Sequence, residues 1–186
     1  DICKKSFNYD KAEQVLDPTM LMGKEFYKND IIAKYNDSNT NEGGLLTYVL
    51  DEAKEKKEII EFVQKSVNNQ NIHHLKGFGD SHITFSVPAW LASFANADFV
   101  VTDSFHGMVF SIIFEKEFVV VGNSKRGLDR FISLLSLLGI EDRLVFDIKA
   151  LKDKGLDNID YTRVNELLDN EKKKSLMFLM GALNGK

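Results

Sequence analysis

The chain is poor in the residues that staple a fold or break it into pieces. Among 186 residues there is one cysteine, Cys3, and there are two prolines, Pro18 and Pro88. A single thiol excludes an internal disulfide framework and fits a reducing compartment. No Gly/Ser-rich linker, low-complexity tract or internal repeat divides the sequence. Positive charge is also short: 24 basic residues stand against 28 acidic ones, for a formal charge of −4. A general nucleic-acid binder would carry a basic excess on one face, so nucleic acid is not an expected partner. No apolar run approaches the roughly 18 to 20 residues that span a bilayer. No basic stretch followed by an apolar segment marks a signal peptide. These absences describe a cytoplasmic chain without a transmembrane segment.

With 44% hydrophobic and 28% charged residues, the chain has the material for one ordinary domain with a real core. From residue 45 onward its pattern is regular. Leu45–Leu50, Ile72–Leu75, Asp98–Thr102, Phe118–Val121 and Arg143–Phe146 are short apolar runs suited to buried strands. Between them fall helical patterns. In the first, Ile59, Ile60, Val63 and Val67 recur at helical spacing, and the charged run Glu52–Glu58 reads as its solvated face. Pro88–Ala95 starts with proline in its first turn, Gly107–Phe114 begins a hydrophobic helix, and Gly127–Leu138 ends at Gly139. A long helix over Thr162–Leu183 carries an apolar stripe of Val164, Leu168, Leu176, Leu179 and Leu183. Strands alternating with helices predict βαβ units, hence a doubly wound, Rossmann-like α/β domain with a parallel sheet. Residues 1–40 stand outside the alternation and read as a lead-in or linker from an N-terminal half. Residues 41–186 read as the domain proper.

In such sheets ligands bind beyond the carboxyl ends of the strands. Two loops leave strands there with unusual residues. Thr102–Gly107 (TDSFHG) places Ser104 as a helix cap, with Phe105, His106 and Gly107 in the first turn. Free N–H groups at that helix start favour an anion, and His106 adds a group able to serve as acid, base or phosphate donor. Asp103 and Ser104 also suit plain turn and cap roles, with His106 a structural histidine. Gly122–Gly127 (GNSKRG) supplies Lys125 and Arg126 just before a helix, where cations are unfavourable unless an anion sits between them. Two solvated surface cations are the other reading of that loop. Together the loops predict an anion pocket with one titratable group.

Other chemistry finds little support. His73 and His74 are adjacent and point to opposite faces of a strand, His82 has no companion ligands, and no metal site is expected. Gly43-Gly44 and Gly77-Phe78-Gly79 make no GxGxxG fingerprint, and no GxSxG elbow occurs. Asp17-Pro18-Thr19 reads as a turn.

Several segments in order resemble the polysaccharide pyruvyl transferase family. They are Ser86–Gly107 (SVPAWLASFANADFVVTDSFHG), Met108–Phe118, the RG..RF stretch Arg126–Phe131, Leu16–Leu21 (LDPTML), Leu45–Leu50 and Ser175-Leu176. Pro88-Ala89 departs from the acidic or polar residues usual in the family before the Trp-Leu pair. The resemblance implies the C-terminal half of a two-domain, GT-B-like fold. It implies transfer of a pyruvyl group from phosphoenolpyruvate to two hydroxyls of a sugar or glycan-lipid, with release of phosphate and no further cofactor. His106 falls on the motif histidine. The donor-holding basic residue falls on Lys125 or Arg126, and Ser104 and Gly107 belong to the donor-binding turn. Asp103 either orients His106 or acts directly. An N-terminal half of the same protein and attachment to the inner membrane through the acceptor follow from the same resemblance. A glycosyltransferase using a nucleotide sugar and a non-catalytic anion-binding module are the competing readings.

Overall fold

The computed structural model describes residues 2–35, 43–51, 53–67, 71–75, 85–123 and 127–185. Helix α1 (Ile2–Phe7) is followed by a 3-10 turn at Pro18–Leu21, a π-helical stretch at Phe26–Ile32 and the short α2 (Ala33–Tyr35). The alternation then runs β1 (Leu45–Tyr48), α3 (Lys54–Ser66), β2 (Ile72–His74), α4 (Val87–Asn96) and β3 (Phe99–Thr102). It continues with α5 (Phe105–Ile113), β4 (Glu117–Val121), α6 (Leu128–Leu138), β5 (Leu144–Val145), α7 (Ile148–Lys154) and α8 (Tyr161–Leu183).

The five described strands form one parallel sheet in the order β2-β1-β3-β4-β5. The first crossover runs one way from β1 and the later ones run the other way. Right-handed connections therefore place helices on both faces, as the alternation predicts. Register sorts the strand side chains between the faces. Leu46, Val100 and Phe118 lie side by side and pack with Phe94 of α4, Met108 of α5, Leu135 of α6 and Leu168 of α8. Leu45, Val101, Val119 and Val145 face the other way, onto Ile59 and Val63 of α3 and Leu151 of α7. The strands are apolar on both faces because both faces are covered.

Local chemistry explains where helices begin and end. Ser86 caps α4 by accepting from Ala89 N at 3.3 Å, with Pro88 in the first turn. Gly139 ends α6 in the left-handed conformation, at φ +67°. Asp147 caps α7 through Ala150 N at 2.7 Å, a helix the apolar pattern alone did not announce because only Leu151 of it is buried.

Two expectations change. The apolar stripe of α8 is buried only in its first half. Val164 and Leu168 are in the core, whereas Leu176, Leu179 and Leu183 are 42, 44 and 76% exposed. At about 1.5 Å per residue, this 23-residue helix outruns the layer it packs on. The lead-in segment, for its part, contributes to the domain's own core. Leu16, Met20 and Tyr27 are buried with α5, α6 and α8, and the Tyr27 ring meets Phe110 edge-on at 5.1 Å. No helix among the described residues is long and apolar enough to cross a membrane.

Tyr161 starts α8 with its hydroxyl donating to Lys116 O in a buried setting. Burial, and then the Glu117 carboxylate, push that hydroxyl far above the ordinary tyrosine value of 10.0. Burial raises Tyr27 and Tyr48 as well. The unfolded chain thus releases tyrosine protons that the folded one retains, so this stability is fully present below about pH 10 and falls as pH rises above it. Urea unfolding across that range should show the loss, and Tyr161→Phe should flatten it.

Candidate active site

The β3–α5 loop is built on Thr102, which is fully buried at the end of β3. Its hydroxyl donates to Tyr48 O at 2.7 Å and accepts from Ser104 N at 3.1 Å. Ser104 is extended (φ −95°, ψ 134°) and caps α5 by accepting from Gly107 N at 3.3 Å. Met108 N donates to Ser104 O at 3.0 Å and closes the first turn. A Cβ on Gly107 would lie 2.3 Å from Thr102 Oγ1, so only glycine lets the first turn of α5 sit this close to β3. The N–H groups of Phe105 and His106 open the helix without intrahelical acceptors. They supply the positive end of the helix dipole at the carboxyl edge of the sheet.

Asp103 turns the other way. Its side chain is 2% exposed and its Oδ1 accepts from Leu50 N at 2.7 Å. Its Oδ2 accepts from Asp51 N at 3.4 Å and pairs with the Lys56 ammonium, which also donates to Asp51 O at 2.9 Å. These bonds run to the β1–α3 loop and none runs to His106, so the carboxylate does not orient the imidazole. The network also corrects the reading of Glu52–Glu58 as a solvated face, because the side chain of Lys56 is only 6% exposed. Lys56 lies on the same helical stripe as Ile59, Ile60 and Val63, and that spacing was the signal for its burial. Removing one partner of a buried pair strands the other charge. Lys56→Met should therefore lower unfolding stability by about 3–5 kcal/mol, read from urea titrations followed by circular dichroism.

His106 points out at the other flank, with its side chain 53% exposed and Nε2 at 3.9 Å from Asp17 Oδ2. Asp17 is the residue that motif reading passed over as a turn. Its Oδ1 accepts from Thr19 N at 3.0 Å and from the Thr19 hydroxyl at 2.7 Å, capping the Pro18–Leu21 turn. Sequence separation hid its proximity to His106. Beside Asp17 opens a cleft of about 370 Å3 bounded by Gln14, Phe105, Arg130, Ser133 and Leu137. The Arg130 guanidinium lies over the Phe105 ring at 4.8 Å, and Gln14 Nε2 donates to Ser133 Oγ at 2.6 Å. Arg130, in the RG..RF stretch, is a cation lining this cleft that the loop reading did not single out.

Strand β4 runs directly beside β3, so the loops leaving them start as neighbours. Lys125 and Arg126 lie outside the described residues, as do His82 and Gly77–Gly79. His73 and His74 take successive positions on β2, and His74 Nδ1 meets Thr47 Oγ1 at 2.6 Å. Among the described residues no three metal-ligating side chains gather.

A five-stranded parallel sheet flanked by helices, with a capped helix start at its carboxyl edge, makes this a Rossmann-like α/β domain. The sequence profile for polysaccharide pyruvyl transferase matches residues 1–125, two thirds of the chain, and the chain belongs to that family. The match takes in both Asp17 and His106. No curated protein and no solved structure matches the chain. Family membership implies a transferase with a saccharide acceptor.

Proposed function

We propose that this chain transfers the pyruvyl group of phosphoenolpyruvate to two hydroxyls of a sugar during polysaccharide synthesis, releasing inorganic phosphate. The observation that carries the reading is the exposed His106 imidazole in the first turn of α5, next to helix N–H groups that favour an anion. The donor's phosphate and carboxylate suit those N–H groups together with Lys125 or Arg126 from the neighbouring loop. His106, as an imidazolium, would protonate the methylene carbon of the donor. Positive character then develops at the adjacent carbon, where a sugar hydroxyl attacks. A second hydroxyl displaces phosphate and closes the ketal. Ser104 and Gly107 serve this chemistry by fixing the turn that presents the N–H groups, and Asp103 serves it by anchoring the loop to β1. The enol phosphate carries its own leaving group, so no cofactor is needed. In this reading the domain is the donor-binding half of a GT-B-like enzyme, working in the cytoplasm on a sugar or glycan-lipid at the inner membrane.

Titration calorimetry should give a binding heat with phosphoenolpyruvate and none with nucleotide sugars. Heat with a nucleotide sugar alone would point to glycosyl transfer, and silence toward both to a non-catalytic module. In the full-length protein, His106→Ala should abolish ketal formation while leaving the circular dichroism spectrum unchanged. Wild-type turnover in that variant refutes the assignment.

A further inference from the structure

The Asp17 turn is held unusually firmly for a segment with so little regular secondary structure. Met20, fully buried, anchors its far side. Leu16 N donates to Ser175 Oγ on α8 at 3.0 Å, and Tyr27 OH donates to Thr19 O at 2.7 Å. Oδ1 of Asp17 is consumed by the cap, whereas Oδ2 has no hydrogen bond among the described residues and faces His106 Nε2 at 3.9 Å. That gap is too long for a direct hydrogen bond. It is the right width for one oxygen to sit within about 2.8 Å of both groups.

The adjoining cleft has the chemistry of a sugar subsite. Its volume of about 370 Å3 falls in the range of small-molecule sites. Gln14, Arg130 and Ser133 offer amide, guanidinium and hydroxyl groups to hydroxyls, while Leu134 and Leu137 give an apolar wall for C–H faces. The carboxylate of Asp17 stands between this cleft and the imidazole.

We infer that Asp17 is the general base for the acceptor hydroxyl, and that the cleft beside it holds the sugar bearing that hydroxyl. The inference rests on the pyruvyl-transfer reading above. In the first step the His106 imidazolium gives its Nε2 proton to the methylene carbon of phosphoenolpyruvate, and the double-bond electrons form the new C–H bond. The hydroxyl oxygen donates a lone pair to the adjacent carbon, and its proton goes to Asp17 Oδ2. Asp17 then returns that proton to His106 Nε2 through one water, for which the 3.9 Å gap has room, restoring carboxylate and imidazolium. In the second step the other hydroxyl displaces phosphate. The C–O bond breaks toward the phosphate oxygen, which takes the second hydroxyl's proton. One enol phosphate and two hydroxyls become one ketal and one hydrogen phosphate, with both side chains unchanged.

Asn and Ser cap helices about as well as Asp, so Asp17→Asn and Asp17→Ser remove the base and keep the turn. The full-length protein would be assayed with phosphoenolpyruvate and a set of methyl hexopyranosides offering a 4,6-diol. Both variants should lower kcat by about 100-fold or more, with KM for phosphoenolpyruvate within about threefold and an unchanged melting temperature. A kcat loss below about tenfold, or a loss carried by the donor KM alone, overturns the inference. Absence of ketal from the wild type instead overturns the pyruvyl-transfer reading itself, a result distinguishable from failure of the variants alone.

Discussion

The ion pair between Lys56 and Asp103 sits where the sheet changes direction, between β1 and β3, and the arrangement of the carboxyl edge follows from it. The loops leaving these two strands diverge to opposite faces, which in open α/β sheets leaves a crevice for a ligand. Here that crevice is occupied by protein. Asp103 reaches across it to Leu50 N, Asp51 N and Lys56, and Thr102 reaches across it to Tyr48 O. Two charges withdrawn from water are tolerated only when paired and hydrogen-bonded, and this carboxylate has three donors. The pair does more than stabilise. It locks the start of α5 against β1, and with Asp103 committed to that side, His106 emerges on the opposite flank of the helix start. The exposed imidazole therefore stands away from the β1/β3 crevice, toward the segment carrying Asp17.

That segment is positioned by side chains rather than by backbone regularity. Between α1 and β1 it has a 3-10 turn, a π-helical stretch and one turn of α-helix. Burying residues such as Leu16 and Met20 contributes about 1.5–3 kcal/mol each, which offsets the backbone ordering of roughly one or two residues at each anchor. Anchors on both sides of Asp17 hold the turn that carries its carboxylate. The π-helical stretch at Phe26–Ile32 packs on α4 and brings Tyr27 under Thr19.

Periodicity revealed the sheet because its strands are short, apolar on both faces and separated by helices of ordinary length. Leu45, Phe99 and Phe118 could hardly belong anywhere else. The same reasoning failed where one residue departs from its neighbours. Lys56 lies in a run of charges and was read with them, although its spacing from Ile59 and Val63 put it on the buried stripe. Leu176, Leu179 and Leu183 continue a stripe that the domain stops covering halfway along α8, and no local pattern encodes where a neighbouring layer ends. Asp17 and His106 meet only because Met20 and Leu16 enter a core formed by much later residues. Such a contact is a property of the tertiary fold, and the turn chemistry of Asp-Pro-Thr is satisfied without it.

The TDSFHG loop divides its labour in a way that bears on reading such motifs. Thr102, Asp103, Ser104 and Gly107 are each constrained by a specific bond or close approach inside the protein. Changing any of them disturbs the loop whatever the domain binds. His106 is different. Its imidazole is half exposed, and its nearest charged neighbour among the described residues is 3.9 Å away, beyond hydrogen-bond reach. A side chain left this free on so constrained a frame has no structural reason for its identity in these contacts. The rigid residues make the motif recognisable, and the loosely held one is the residue of the loop most open to solvent.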